Sequence, residues 1–407
     1  IQTYWKHLFL IPLLIITASC FNQEVNVLSK DFLNTSNNSL VKESLTSIGE
    51  EKPKDYVTPQ NIIYKGITFV GDRYFPDVSF DTQDARLSLD KLKLTGANSI
   101  ALVVTEYQDY ANSTNGIYPV YSDFPHDDYY IYKTETESAI KSIIKYAQSI
   151  DLKVMLKPHI DVSKENDFNI WRGMIGENFT EEDWEKWFPH YEAFILKYAE
   201  LAQETNSELF SISCELIFPS KQAKYWRNII RKVRGIYSGV IVDSANWGGE
   251  EVEKEWWDEV DIIGVDAYYV NMKTTNNGKD VYNVESRLQS VVEILRGLSE
   301  KFNKDVMITE IGFCSGNCRR EEVISAYDQY LQAYFYEKVF LRLAEEKFIN
   351  GFYWWSWNTD PNFGGLNDQC ISPQHKPAEQ ILRKIYQGDK ESFTTTPSGK
   401  PKCNCTT

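Results

Sequence analysis

Methionine and histidine are scarce in this 407-residue chain, with four and five copies, and cysteine is only slightly commoner with seven. The cysteine spacing matches no zinc pattern, and five histidines do not build a ligand cluster, so neither a metal site nor a cofactor is expected. Positive charge is also short: 43 Lys and Arg face 58 Asp and Glu, a formal net charge of −15. No basic run collects on any segment, which excludes nucleic acid as a partner and disfavours an anionic membrane surface. No G-x-G-x-x-G follows the first apolar strand, which removes the usual dinucleotide site.

Long apolar runs are missing except near the start, where Lys6 and His7 lead into Leu8–Ser19, a run too short to span a bilayer. It reads as an export signal, residues 1–20. Its end, Thr17-Ala18-Ser19-Cys20, resembles a bacterial lipobox and makes Cys20 a candidate for lipidation, the single expected membrane attachment; ordinary cleavage followed by secretion is the alternative. Residues 21–60 read as a polar tether, 61–387 as one catalytic domain and 388–407 as a disordered tail carrying Cys403 and Cys405. Export permits a disulfide among Cys314, Cys318 and Cys370, whereas Cys214 reads as a buried thiol within a strand.

What is present is an alternation of short apolar runs with longer stretches of helical spacing. The runs Gly66–Val70, Ser99–Thr105, Lys153–Lys157, Leu209–Ser213, Val240–Asp243, Ile262–Asp266, Val306–Thr309 and Gly351–Trp355 read as eight parallel strands buried on both faces. Between them, Thr134 to Glu137 offers a capping box for a helix with Ile140, Ile143, Ile144 and Ala147 on one face. Trp184 to Ile195 makes a second apolar stripe that Pro189 is expected to kink, Leu288 to Leu298 a third, and Val323 through Leu343 a fourth. Eight βα units predict a single (β/α)8 barrel with long βα loops, whose working residues stand at the C-terminal strand ends.

Two glutamates stand there, Glu215 after the fourth strand and Glu310 after the seventh. A carboxylate against buried strands is costly unless paired, and two at one barrel mouth suit glycoside hydrolysis, in which one carboxylic acid protonates the leaving oxygen and one carboxylate attacks the anomeric carbon. Aromatics make up 14% of the chain, with 11 Trp and 25 Tyr, which suits either an aromatic-rich core or a cleft that stacks sugar rings.

Several segments resemble family 113 of the glycoside hydrolases, a β-mannanase-like group within the large clan of retaining (β/α)8 glycosidases. They are Gly66-Ile67-Thr68-Phe69, Gly96-Ala97-Asn98-Ser99 running on to Thr105-Glu106-Tyr107-Gln108, Met155-Leu156-Lys157-Pro158-His159, Trp171-Arg172-Gly173, Ala245-Asn246-Trp247, Asp266-Ala267-Tyr268-Tyr269, Thr309-Glu310-Ile311-Gly312 and Trp354-Trp355-Ser356-Trp357. The resemblance spans about Gly66 to Tyr386 and implies Glu215 as acid/base and Glu310 as nucleophile. One departure is Cys214, where many clan members carry an Asn that binds the sugar 2-hydroxyl; Asn246, Lys157 and His159 are candidates to replace it. Tyr268 resembles the tyrosine that hydrogen-bonds the nucleophile, although Tyr269 is an equal candidate to face inward. Trp171, Arg172, Trp247, Asp266, Trp355 and Trp357 complete the expected substrate-binding set, with Trp355 as a sugar platform, Trp357 at the rim and Trp354 packed on a helix. Of Tyr107, Tyr110, Tyr118 and Tyr121, in the long insertion after strand two, each is expected to pack the loop. The expected activity is a monomeric retaining endo-β-1,4-glycanase on β-mannan; another β-glycan such as xylan or glucan, exo action, or a non-catalytic carbohydrate-binding lipoprotein are the alternatives.

Overall fold

Eight strands alternate with helices around a closed parallel barrel in the computed structural model. The described residues are 58–71, 78–121, 124–125, 131–165, 170–271, 274–276, 279–281, 284–316, 329–365 and 367–388, all within the unit Asp55–Thr407. The expected leader with Cys20, nearly all of the tether, Cys318, and the tail with Cys403 and Cys405 lie outside them. Among the described residues no helix is long and apolar enough to cross a membrane.

The strands are β1 (Tyr64–Val70), β2 (Ser99–Gln108), β3 (Lys153–Val162), β4 (Leu209–Cys214), β5 (Val240–Asn246), β6 (Ile263–Asp266), β7 (Val306–Ile311) and β8 (Ile349–Asn358). Each pairs with its neighbours in sequence, and β8 closes on β1. Helices α1 (Gln83–Lys93), α2 (Glu137–Ser149), α3 (Glu181–Glu204) and α4 (Ala223–Arg234) follow the first four strands; α5 (Val284–Phe302), α6 (Gln329–Ala344) and α7 (Pro377–Gln387) follow the last three. Two antiparallel hairpins, Phe124–Pro125 with Ile131–Tyr132 and Thr274–Asn276 with Lys279–Val281, sit in the connections after β2 and β6.

Two apolar layers hold this arrangement. Inside the barrel Tyr64, Ala101, Met155, Leu209, Val242, Met307 and Tyr353 form a closed floor. The outward faces of the strands pack on the helices in one large continuous cluster, the main source of burial free energy at about 25 cal/mol per Å² of apolar surface. Gly264 is required here, because a Cβ on it would stand 1.9 Å from the Asp243 carbonyl oxygen.

The structure corrects two readings, the cap of α2 and the fifth crossover. Helix α2 is capped by Thr136, whose side chain accepts from Ala139 N; Thr134 instead donates to the Thr105 carbonyl at 2.7 Å and so serves β2. The reciprocal capping box belongs to α3, between Thr180 and Asp183. Pro189 lies inside helix α3, which continues on both sides of it. The fifth crossover has no full helix, only the turn Glu250–Glu253 and a 3-10 turn Trp257–Glu259. Trp256 and Trp257, both fully buried, fill the space a helix face would occupy. Helix α6 begins at Gln329, and the earlier part of the expected run, from Val323, lies outside the described residues. Cys314 is disulfide-bonded, and neither Cys214 nor Cys370 is its partner, since both keep their thiols.

Candidate active site

Apolar patterning locates the strands, but their C-terminal ends run further than it suggests. β2 and β3 pair residue for residue from Ser99 with Lys153 to Gln108 with Val162. Lys157, His159 and Asp161 therefore lie within β3, two residues apart, all buried. Period-two geometry puts all three on one face, the face of Met155 in the floor.

Bulges aim the two glutamates. Along β4 the chain advances three residues, Ser211 to Cys214, while β5 advances two, Val242 to Ser244. The extra residue turns Ser213 out to Asp243, to which its hydroxyl donates, and Cys214 in, 3.4 Å from Asp266 Oδ2 and 3.7 Å from Glu310 Oε1. Glu215 follows with φ of 53°, a left-handed conformation that costs a non-glycine residue of order 1–3 kcal/mol; its amide is anchored to the Ser244 carbonyl at 2.8 Å. Along β7, Ile308 to Glu310 passes while β6 moves only from Val265 to Asp266. Ile308 belongs to the outer cluster, so strict alternation would send Glu310 outward too. The slip turns it into the mouth, where it is 3% exposed.

Around Glu310 stand a cation and a phenol. Lys157 Nζ donates to Glu310 Oε1 at 2.5 Å and to Asp266 Oδ1 at 3.1 Å, and the Tyr268 hydroxyl donates to Glu310 Oε2 at 3.0 Å. Thr309 Oγ1 donates to Asp266 Oδ1 at 2.7 Å, and His159 Nε2 lies 3.7 Å from Glu310 Oε1. Burial alone would favour neutral Lys157, but the negative charges of Asp266 and Glu310 outweigh it and hold its pKa above the ordinary value. Burial, with Glu310 beside it, pushes Asp266 up to about 7.

Glu215 has different company. Arg172 Nη1 donates to its Oε2 at 3.3 Å, while Nε and Nη2 of the same guanidinium grip Asp161 at 3.0 and 2.9 Å. Burial, then the charges of Glu310 and Asp266, push the Glu215 carboxyl well above the usual range, against the pull of Arg172. The Cys214 sulfur bridges the two sides: it lies within 4.8 Å of a Glu215 oxygen and 3.7 Å from Glu310 Oε1. The carboxyl groups thus stand no further apart than those two spans laid end to end. Burial pushes the Cys214 thiol up as well, so it enters this network uncharged.

Two trios, His159 with Cys214 and Glu310, and Cys214 with Glu215 and Asp266, bring possible ligand atoms within 4.8 Å of one another. Lys157 and Arg172 already supply positive charge among these carboxylates, so the arrangement fits an ion-pair network better than a metal centre.

The structure thus brings Glu215, Glu310, Lys157, His159, Arg172, Asp266 and Tyr268 together. Tyr269 turns away, its hydroxyl donating to Glu251 Oε1 at 2.8 Å. Trp355 is half-buried, parallel to His159 with ring centroids 6.2 Å apart. Trp354 stacks on Tyr336 of α6 at 4.1 Å. Trp171 packs over Gly173, where a Cβ would meet its ring at 2.5 Å. Asn246 ends β5 in register with Asp266, and Trp247 lies against Tyr269 at 5.6 Å. Trp357 is the correction: it is fully buried and its indole donates to Ser88 of α1 at 3.0 Å, so it offers no face to a sugar. Between Trp354 and Trp357 β8 advances three residues against two in β1, Ile67 to Phe69, and the slip cancels the alternation that would pair Trp357 with Trp355; the Trp355–Ser356 peptide there is cis. Of the four tyrosines expected in the insertion after strand two, Tyr107 lies instead within β2, fully buried; Tyr118 donates to Asp109, and Tyr110 and Tyr121 are exposed.

Sequence reasoning missed Asp161 and Thr309. Polar residues recurring two apart after Met155 would have disclosed Asp161; nothing in the pattern singles out Thr309.

The chain matches the sequence profile of glycoside hydrolase family 113 over residues 74–365. Among solved structures it is similar to the family 113 β-mannanase of Alicyclobacillus acidocaldarius in complex with ManMIm, with 26% identity and a TM-score of 0.66 over 80% of this chain and 97% of that one. It is similar also to a family 113 β-1,4-mannanase complex, with 25% identity and a TM-score of 0.65 over 80% and 99% of the two chains. A β-glucuronidase of Faecalibacterium prausnitzii shares the fold alone, at 12% identity and a TM-score of 0.53 over 80% of this chain and 49% of that one. No curated protein sequence matches. With a barrel closed by eight strands and a family profile running from before β2 to beyond β8, the chain is a glycoside hydrolase and belongs to glycoside hydrolase family 113.

Proposed function

We propose that this chain is a retaining endo-β-1,4-mannanase in which Glu215 is the acid/base and Glu310 the nucleophile. The observation that carries the reading is the opposite surroundings of two carboxyl groups in one mouth. Glu215 is held protonated by burial and by neighbouring negative charge, while Glu310 receives donors on both oxygens, from Lys157 and Tyr268. That is the division of labour a double displacement requires. The Glu215 proton goes to the glycosidic oxygen as its bond to the anomeric carbon breaks, and a Glu310 oxygen bonds to that carbon. Water then attacks the covalent intermediate, giving a proton to Glu215 and releasing Glu310. Trp355, half-buried and parallel to the buried ring of His159, offers a flat surface to the sugar ring.

Mannan is the chosen substrate because two solved family 113 structures that the chain resembles, at 26% and 25% identity, are β-mannanases. The test is product profiling on mannan, xylan and β-glucan, with proton NMR of the first anomer formed from a manno-oligosaccharide. Internal cleavage of mannan with initial β-anomer is expected. An initial α-anomer would overturn the double displacement, and a preference for xylan or glucan would overturn the substrate.

A further inference from the structure

We infer that the Arg172 and Asp161 ion pair is a positioning device that holds Glu215 in place and lets it change charge between the two halves of the reaction. The inference rests on the double-displacement reading above but adds a function for two residues which that mechanism leaves unused. Arg172 lies on the 3-10 turn Arg172–Met174, in the connection from β3 to α3, and Asp161 near the end of β3. Asp161 takes two of the guanidinium's edges, Nε and Nη2, at 3.0 and 2.9 Å. A bidentate carboxylate fixes the plane of a guanidinium as a single contact cannot. The remaining edge, Nη1, then has one direction to point, toward Glu215 Oε2 at 3.3 Å and Cys214 Sγ at 3.6 Å.

The need for such a device follows from the charges that face Glu215. Glu310 on β7 and Asp266 on β6 oppose its ionisation; Lys157 on β3 and Arg172 favour it; Cys214 and Tyr268 face it as neutral groups whose own ionisation is suppressed by burial. Lys157 is bonded to Glu310 and Asp266, so among the described residues Arg172 is the cation in hydrogen-bond contact with Glu215. Once Glu215 has given its proton to the leaving oxygen it is an anion beside Asp266, and it must stay one until water arrives. Arg172 is its counter-ion during that interval. Asp161 keeps the guanidinium from swinging toward the substrate or solvent.

The test compares pH profiles of kcat/KM on a manno-oligosaccharide, and pre-steady-state bursts on an activated aryl β-mannoside, for wild type, Arg172→Met, Arg172→Lys and Asp161→Asn. Removing the cation should move the alkaline limb up by about one pH unit or more. In the same variant kcat on the aryl substrate should fall about tenfold or more, with KM falling alongside as the intermediate accumulates. Arg172→Lys should recover part of the limb, and Asp161→Asn, which frees the guanidinium from its anchor, should move the limb the same way as Arg172→Met. Loss of an anion acting through its charge alone would move the limb down, so a downward shift in Asp161→Asn would overturn the positioning role. If Arg172→Met does not fold, the Lys and Asn variants carry the sign test alone. A raised KM with unmoved limbs would make Arg172 a plain substrate contact and overturn the proposal. Glu215→Gln separates the two levels: full activity in it removes the double displacement, whereas an inactive Glu215→Gln beside Arg172 and Asp161 variants with wild-type limbs removes the positioning role alone.

Discussion

The barrel contains the same motif twice, a fully buried lysine bridging two carboxylates, and the two copies do different things. Lys254 joins Asp243 and, at 2.9 Å, Glu250; Lys157 joins Asp266 and Glu310. The Lys254 cluster is sealed. Its ammonium lies 4.5 and 4.8 Å from the Trp256 and Trp257 rings, Asp243 accepts from Ser213, and Glu250 Oε2 accepts from the Asn246 amide at 2.8 Å. Every arm ends on the protein, and the cluster pins the end of β5 where a helix is missing. The Lys157 cluster opens onto a third carboxyl, Glu215, with a charge partner of its own. A buried ion pair is weak evidence of function by itself; a surplus of negative charge around one cation, aimed at a barrel mouth, is much stronger.

Removing one arm of each cluster breaks the comparison most sharply. Glu310→Ala should lower turnover of mannan by roughly 10^4-fold or more, with azide restoring activity and an inverted product. Asp243→Asn, the equivalent change in the sealed cluster, should leave kcat within about threefold of wild type. Wild-type turnover in Glu310→Ala, or a collapse of kcat in a folded Asp243→Asn protein, would erase the distinction.

Removing the cation tests the other half. Lys254→Met leaves Asp243 and Glu250 without their partner, and breaking a buried pair in this way costs about 3–5 kcal/mol. Denaturant titration should show that loss, while the pH profile of the surviving folded enzyme keeps its shape. A stability change under about 1 kcal/mol would mean that the tryptophan packing, not the charge, holds the fifth crossover.

How much of this was legible in the sequence follows from the same contrast. The strands and most helices announced themselves because each buries an unbroken apolar run, and the two glutamates because they interrupt such runs. The strand ends did not. β3 continues for five residues past Lys157, and the polar residues that line the mouth look like loop to any reading that equates strand with apolar. The bulges in β4, β7 and β8 were invisible for a different reason. One extra residue changes no composition, yet it reverses every face after it, so Glu310 came to point inward despite its parity with Ile308 and Trp357 came to point outward despite its parity with Trp355. Asp161 was hidden by the strand end, Tyr268 and Tyr269 could be separated only by their partners, and the fifth crossover was expected to be helical from the regular alternation of βα units alone.

The smallest effect concerns stability and reads the surplus charge directly. Glu215 is pushed above the usual carboxyl range by burial, Glu310 and Asp266, so over a window that begins at its ordinary pKa the folded protein keeps a proton that the unfolded chain has lost. Stability must then decline as pH rises from the ordinary carboxylate range, roughly pH 4, through the folded-state pKa of Glu215. Asp266, raised to about 7, adds a decline of the same sign up to that pH. Glu215→Gln removes one titrating group while its amide oxygen can still accept from Arg172, so it should flatten part of the slope. Its melting temperature should exceed that of wild type by about 2–4 °C near neutral pH, the change that ~1 kcal/mol produces in a large domain, and the two should converge near pH 4. A constant offset at all pH values would show that the substitution acts through packing, and a variant less stable at neutral pH would mean that Glu215 is ionised there and held by Arg172.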